Sequence, residues 1–188
     1  KIGALIRAVR RERGMTQRAL AETIHVSDRT VSKWERGAGF PDVSLLAALS
    51  DRLGVDLERM LSGDLLPNRE KGDSMRKIQY FVCPTCGNVI ASTGEASVSC
   101  CGRKLEALHP QKAVGAHQLQ LEAVEDEWYV TSLHPMEKGH FLSFVAWVTG
   151  DRLVLVRSYP EWELQVRLPR QGHGKLYHYC TNHGLFYQ

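Results

Sequence analysis

The sequence predicts a multidomain protein: an all-α domain, then a small knuckle built on four cysteines, then an all-β sandwich. Three observations carry this. Residues 1–63 place apolar side chains at helical spacing between capping signals. Cys83, Cys86, Cys100 and Cys101 cluster, while Cys180 stands far away. Residues 109–188 read as short alternating strands with turns between them.

The composition is that of an ordinary globular chain. It has 188 residues, 43% apolar and 24% charged. No run approaches the ~18 apolar residues a membrane helix needs, and the N-terminus has no apolar signal-peptide core. A cytoplasmic location is the expected default. There clustered cysteines favour metal ligation over disulfides. A net charge of +3 says little by itself about nucleic acid.

In the first domain, Ile2, Leu5, Ile6 and Val9 mark a helix over Ile2–Arg13 that Gly14 ends. Thr16 caps a second helix, Gln17–Ile24, and Ser27 a third, Asp28–Glu35. Pro41-Asp42 starts Val43–Leu53, closed by Gly54, and a last short helix covers Leu57–Leu61. Two short helices joined by a tight turn form a helix-turn-helix. Leu20, Ala21, Ile24, Val31 and Trp34 are expected in its core. A Trp in a helical stripe is more often core than a base-stacking group. Asp28, Arg29, Thr30 and Lys33 point outward from the third helix as base or phosphate candidates. Gln17 and Arg36 are phosphate candidates. The bland alternative is a solvated charged face.

The run Gly14-Met15-Thr16-Gln17-x-x-Leu20-Ala21, then Val26-Ser27-x-x-Thr30-Val31-Ser32-Lys33-Trp34-Glu35-Arg36-Gly37, closely resembles the phage-repressor-like (Xre/Cro type) helix-turn-helix family. The resemblance covers residues 1–63. It implies a partner, double-stranded DNA, read as two half-sites by a homodimer.

Residues 64–78 carry Pro67, Gly72 and many charges, and read as an exposed linker. Residues 79–108 form the knuckle. Cys83-Pro84-Thr85-Cys86 turns two sulfurs to one side, and Gly87 allows the tight turn after them. With Cys100-Cys101, four thiolates make a closed tetrahedral site for iron or zinc. The rival readings are a purely structural zinc and a pair of disulfides. The adjacent Cys-Cys resembles the desulforedoxin module of desulfoferrodoxin, which implies iron and an accessory electron-transfer role.

Residues 109–188 are expected to hold six strands: Gln118–Val124, Glu127–Leu133, Phe141–Thr149, Arg152–Tyr159, Trp162–Leu168 and Lys175–Cys180. Gly150-Asp151 is a hairpin turn, and the pattern argues for an antiparallel sandwich. Between them lie His134-Pro135-Met136-Glu137-Lys138-Gly139-His140 and Cys180-Thr181-Asn182-His183. Imidazole and thiolate bind iron, zinc or copper at neutral pH. The alternative is surface histidines beside a buried cysteine.

His-Pro-Met-x-x-x-His before an apolar strand, then Tyr-Cys-x-x-His-Gly-Leu, resembles the catalytic domain of desulfoferrodoxin and neelaredoxin, the superoxide reductases. The resemblance spans roughly residues 112–188 and implies an immunoglobulin-like sandwich. It also implies one iron, cycling between Fe(2+) and Fe(3+), held by four equatorial His and one axial Cys. The matching residues are His134, His140, Cys180 and His183. His117, expected at the start of the preceding strand, fits as the remaining ligand better than His109. His173 and His178 are read as bystanders.

Two departures stand out. The gap from His117 to His-Pro-Met is a few residues shorter than in the family. Gly115 and Ala116 stand where many superoxide reductases carry a Glu-Lys pair whose Lys guides the anion and helps supply protons. Lys112 and Lys138 are the nearby positive charges, with Lys138 inside the ligand loop. The expected function is therefore a DNA-binding transcriptional regulator whose iron domain senses iron, superoxide or redox state. The alternative is a working superoxide reductase, turning superoxide into hydrogen peroxide, that carries a DNA-binding domain. A third reading makes the metal domains structural relics.

Overall fold

A computed structural model describes residues 1–63 and 75–188. The chain divides into two compact units, residues 1–67 and 68–188. Most of the expected linker, residues 64–74, lies outside the described residues. Residues Met75–Lys77 form one 3-10 turn.

The first unit is five helices: α1 (Ile2–Glu12), α2 (Gln17–Thr23), α3 (Asp28–Glu35), α4 (Val43–Leu53) and α5 (Leu57–Ser62). Each boundary has a local cause. The Thr16 side chain accepts from the backbone N–H of Ala19, and that of Ser27 from Thr30. Asp42 and Asp56 cap α4 and α5 in the same way. Such caps satisfy donors that the first helical turn leaves orphaned. Gly54 and Gly63 end α4 and α5 in the left-handed conformation.

Leu20, Ala21, Ile24, Val31 and Trp34 are all buried, in one core with Leu5, Ile6, Leu49, Leu53 and Met60. That core also holds an ion pair. Arg10 donates from Nε and, at 3.0 Å, from Nη2 to the Glu35 carboxylate. Gln17 Nε2 donates to the same carboxylate at 2.7 Å. Burial alone would push the Glu35 carboxyl up, but the donated hydrogen bonds from Arg10 and Gln17 outweigh it and hold it below the usual range.

The second unit begins with two hairpins. β1 (Gln79–Val82) pairs with β2 (Val89–Ser92), and β3 (Val98–Cys100) with β4 (Arg103–Leu105). The sandwich follows: β5 (Gln111–Lys112), β6 (Gln120–Val124), β7 (Glu127–Thr131), β8 (Leu142–Val148), β9 (Leu153–Arg157), β10 (Gln165–Pro169), β11 (Lys175–Cys180) and β12 (Gly184–Tyr187). One sheet has the order β5-β12-β11-β8-β9 and the other β10-β7-β6.

β8 is buried along its whole length, because both of its faces are covered. One face meets Leu164, Val166, Leu168, Leu176 and Cys180 in the sandwich core. The other meets Tyr80 of β1, with Tyr177 and Leu185. Knuckle and sandwich therefore share a core. Arg157 of β9 adds a tie, donating to the Gly87 carbonyl at 2.8 Å.

Three strand expectations need correction. Trp162–Leu168 is not one strand: β10 starts at Gln165, and Trp162 is exposed in a loop where Glu161 takes a positive φ of 67°. His117 does not begin a strand; it ends a 3-10 turn, Gly115–His117, and β6 starts at Gln120. The sandwich holds eight strands rather than six, since β5 and β12 pair in parallel beside β11.

Candidate metal centres and nucleic-acid interface

Four imidazoles form a closed square. Ring centroids lie 4.8 Å apart for His117–His134, 4.7 Å for His134–His140, 5.0 Å for His140–His183 and 4.9 Å for His183–His117. Cys180, fully buried, approaches the same point: its Sγ is 3.4 Å from His183 Nδ1. Ligand atoms of His117, His134, Cys180 and His183 all lie within 4.8 Å of one another. His140 closes the ring beside them.

The fold brings these residues in from four places. His117 ends the 3-10 turn, its ring stacked on Phe186 of β12. His134 follows β7, its backbone N–H donating to Ser132 Oγ at 2.9 Å. His140 precedes β8, and its backbone exchanges two hydrogen bonds with Glu137, at 3.0 and 3.1 Å. Cys180 ends β11 at a register shift, and His183 sits in the turn to β12. Thr181 staples the last two pieces. Its Oγ1 accepts from Phe141 N–H and donates to the Gly139 carbonyl, each at 3.1 Å.

The donor set suits a metal ion. His134 Nδ1 lies 2.6 Å from the Pro135 carbonyl, which can only accept, so Nδ1 carries the proton and Nε2 keeps its lone pair. His134 Nε2, His140 Nε2 and His117 Nδ1 are buried without a hydrogen-bond partner, an arrangement that costs stability unless something binds them. Burial, aided by the neighbouring imidazoles, pushes His117 and His134 below the ordinary histidine value. Both are thus neutral at pH 7 and ready to donate lone pairs.

Lys138, the candidate source of positive charge, stands outside the square: its Nζ pairs with Glu161 at 3.3 Å, both side chains exposed. Lys112 is exposed on β5, and His109 lies outside the cluster. His173 is exposed. His178 is fully buried two residues before Cys180, its ring nearly parallel to that of Phe186 with centroids 5.5 Å apart. Burial lowers its pKa to about 4.

Cys83, Cys86, Cys100 and Cys101 form the second cluster, their sulfurs within 4.8 Å of one another. Sγ–Sγ distances are 3.6 Å for Cys86–Cys100 and 4.0 Å for Cys100–Cys101, and all four are free thiols. Two thiolates on a tetrahedral ion with bonds of ~2.3 Å stand about 3.8 Å apart, whereas a disulfide brings sulfurs to about 2 Å. The backbone N–H of Cys86 leads in holding the Cys83 thiol down to about 6, and crowding by the other three pushes Cys101 up to about 12. Four thiols this close ionise together only around a cation.

On α3, Asp28, Arg29 and Lys33 are exposed and Thr30 half-buried. Arg36 is exposed beyond its C-terminus, and half-buried Gln17 turns its amide to Glu35. The fold thus gathers these candidates on and around one helix. Among the described residues no helix is long and apolar enough to cross a membrane.

Sequence reasoning did not single out Phe186, Thr181 or Glu161. Thr181 is one of the unnamed positions of Cys-x-x-His. Phe186 had only an apolar pattern to mark it.

Comparison with known proteins finds relatives of two kinds. Residues 6–60 match the helix-turn-helix family model. The HTH-type transcriptional activator BcrR of Enterococcus faecalis is 31% identical over 80 residues, covering 41% of this chain and 39% of that protein. Desulfoferrodoxin of Clostridium acetobutylicum is 32% identical over 53 residues, covering 28% of this chain and 42% of that protein. The chain thus spans about two fifths of each curated relative. The superoxide reductase of Treponema pallidum superposes with a TM-score of 0.52 at 21% identity, over 60% of this chain and 98% of that one. At that identity the likeness shows the fold. The chain therefore joins a helix-turn-helix domain of the Xre type to a desulfoferrodoxin-like region with the superoxide reductase fold.

Proposed function

We propose that this protein is a DNA-binding transcriptional regulator whose β domain holds iron in the His/Cys cluster and reports iron or redox state to the DNA reader. One observation carries the reading: a square of four imidazoles over a buried thiol, in the same chain as an α3 that presents Asp28, Arg29 and Lys33 to solvent. His117, His134, His140 and His183 supply four nitrogens and Cys180 one sulfur. Bound iron supplies a one-electron couple and a place for a small oxidant, tuned by the thiolate. The chain's own part is to hold four imidazoles around one point, fix the His134 tautomer through Pro135, and keep Cys180 from solvent. The four-cysteine cluster takes iron or zinc.

Domain limits follow as part of the proposal: a reader over residues 1–63, a connector over 64–78, a metal knuckle over 79–108 and the iron sandwich over 109–188. The reader acts as a homodimer on two half-sites. Asp28, Arg29, Thr30 and Lys33 meet bases and phosphates, and Arg36 and Gln17 meet phosphates.

The test uses an operator obtained by selection from random duplex DNA. Affinity at fixed salt is measured for the ferrous, ferric and metal-free forms of the full chain. A change of tenfold or more between forms is expected; equal affinities would defeat the sensor reading. The same four imidazoles beside the Cys180 thiol also support a second reading, a working superoxide reductase. Near-diffusional consumption of superoxide by the ferrous protein supports it, and no reaction above background removes it.

A further inference from the structure

A cavity of about 380 Å³ has His134, one corner of the square, in its wall. Glu137, Glu161 and Glu163 line it beside Trp162, and no lysine or arginine does. All three carboxylates belong to exposed residues. All three share that cavity wall with His134, and two are tied by their backbones to the segment that carries His134 and His140. Glu137 is hydrogen-bonded through its backbone to His140 in both directions, and the Glu161 backbone N–H donates to the Met136 carbonyl, two residues from His134. The cation at this rim, Lys138, is already paired with Glu161. Three negative charges against one positive leave this cavity acidic. Gly115 and Ala116, in the same turn as His117, bring no charge beside that residue.

Charges within a screening length of a site bias which ligands reach it. We infer that Glu137, Glu161 and Glu163 make the His/Cys centre selective against anions, so that it favours small neutral ligands over superoxide-like ones. The inference rests on the iron reading of that centre and deepens it: it sets the charge class of the effector. It also separates the sensor from the enzyme, since an enzyme for an anionic substrate gains from the opposite field.

The test uses the full iron-loaded chain. Azide, an anion at neutral pH, is titrated into the oxidised protein, and nitric oxide, which is neutral, into the ferrous protein, both followed optically. Glu137→Gln with Glu163→Gln leaves the Lys138–Glu161 pair in place. This double variant is expected to bind azide two- to fivefold more tightly at ~10 mM salt, where screening reaches about 30 Å. The gain should shrink at ~0.5 M salt, and nitric oxide affinity should not move. Lys138→Gln should weaken azide binding. If the charge variants leave azide affinity unchanged while the iron band is present, the charge selection is overturned and the iron centre stands. If neither form shows an iron-dependent band, both are overturned.

Discussion

The His117 ring lies face to face with Phe186, centroids 4.1 Å apart and planes 12° from parallel. Phe186 stacks in turn on His178 at 5.5 Å and 15°. This stacking supports the most N-terminal of the five clustered residues, on a 3-10 turn of only three residues. Phe186→Leu keeps an apolar group but removes the flat support. Metal affinity, measured by competition with a chelator, should fall about tenfold or more, as for other groups that orient a ligand. Stability of the metal-free chain should fall by less than about 1.5 kcal/mol. Unchanged affinity would mean that the turn holds His117 unaided.

Thr181 ties the His140 loop to the Cys180 turn through two hydrogen bonds of 3.1 Å. Thr181→Val keeps the shape and deletes both. The Phe141 N–H loses a partner, at a cost of about 1–3 kcal/mol. The denaturation midpoint should drop accordingly, and metal affinity with it. A loss of stability with full metal affinity would show that His140 is positioned by its Glu137 bridge instead.

Arg10 and Glu35 are both buried in the helical unit. Arg10→Met should therefore cost about 3–5 kcal/mol by leaving the carboxylate unpaired, and adding Glu35→Leu should recover most of it. Glu35 also sets a pH dependence. Its folded pKa lies below the ordinary value, so its contribution is full above the unfolded pKa of about 4.3 and is lost as pH falls toward the folded value. Acid titration of the wild type should show this loss, and the double variant should lack it.

Arg29 and Lys33 stand exposed on α3. A base contact by Arg29 would make Arg29→Ala cost about 1–3 kcal/mol and relax specificity at one operator position. A phosphate contact by Lys33 would make Lys33→Ala weaken all sequences alike and lower the salt slope by about 1. Binding of selected DNA by gel shift at several salt concentrations separates the two. No effect of either substitution would remove α3 as the reading helix.

The helical unit was legible nearly residue by residue, because its signals are local. Thr16 and Ser27 cap the helices they precede, and α3 and α4 have the limits their sequences imply. The sandwich was less so. β12 is a four-residue strand whose partners, β11 and β5, include one lying far upstream in the chain, and nothing local marks that parallel pairing. Trp162 looked like a strand residue by type, but the backbone turn at Glu161 places it in solvent. His134, His140, Cys180 and His183 were readable from spacing. His117 was placed by resemblance, and its support by Phe186 appears only once strands far apart in sequence pair.

Iron content and the optical spectrum of the full chain, purified without oxygen and then oxidised, test the central claim most directly. The account predicts close to one iron per chain in the His/Cys site and a thiolate-to-ferric band that grows on oxidation. His140→Ala and Cys180→Ser should each abolish that band. Zinc alone in the protein, or no band on oxidation, would contradict a redox centre and leave a DNA-binding regulator with a structural metal domain.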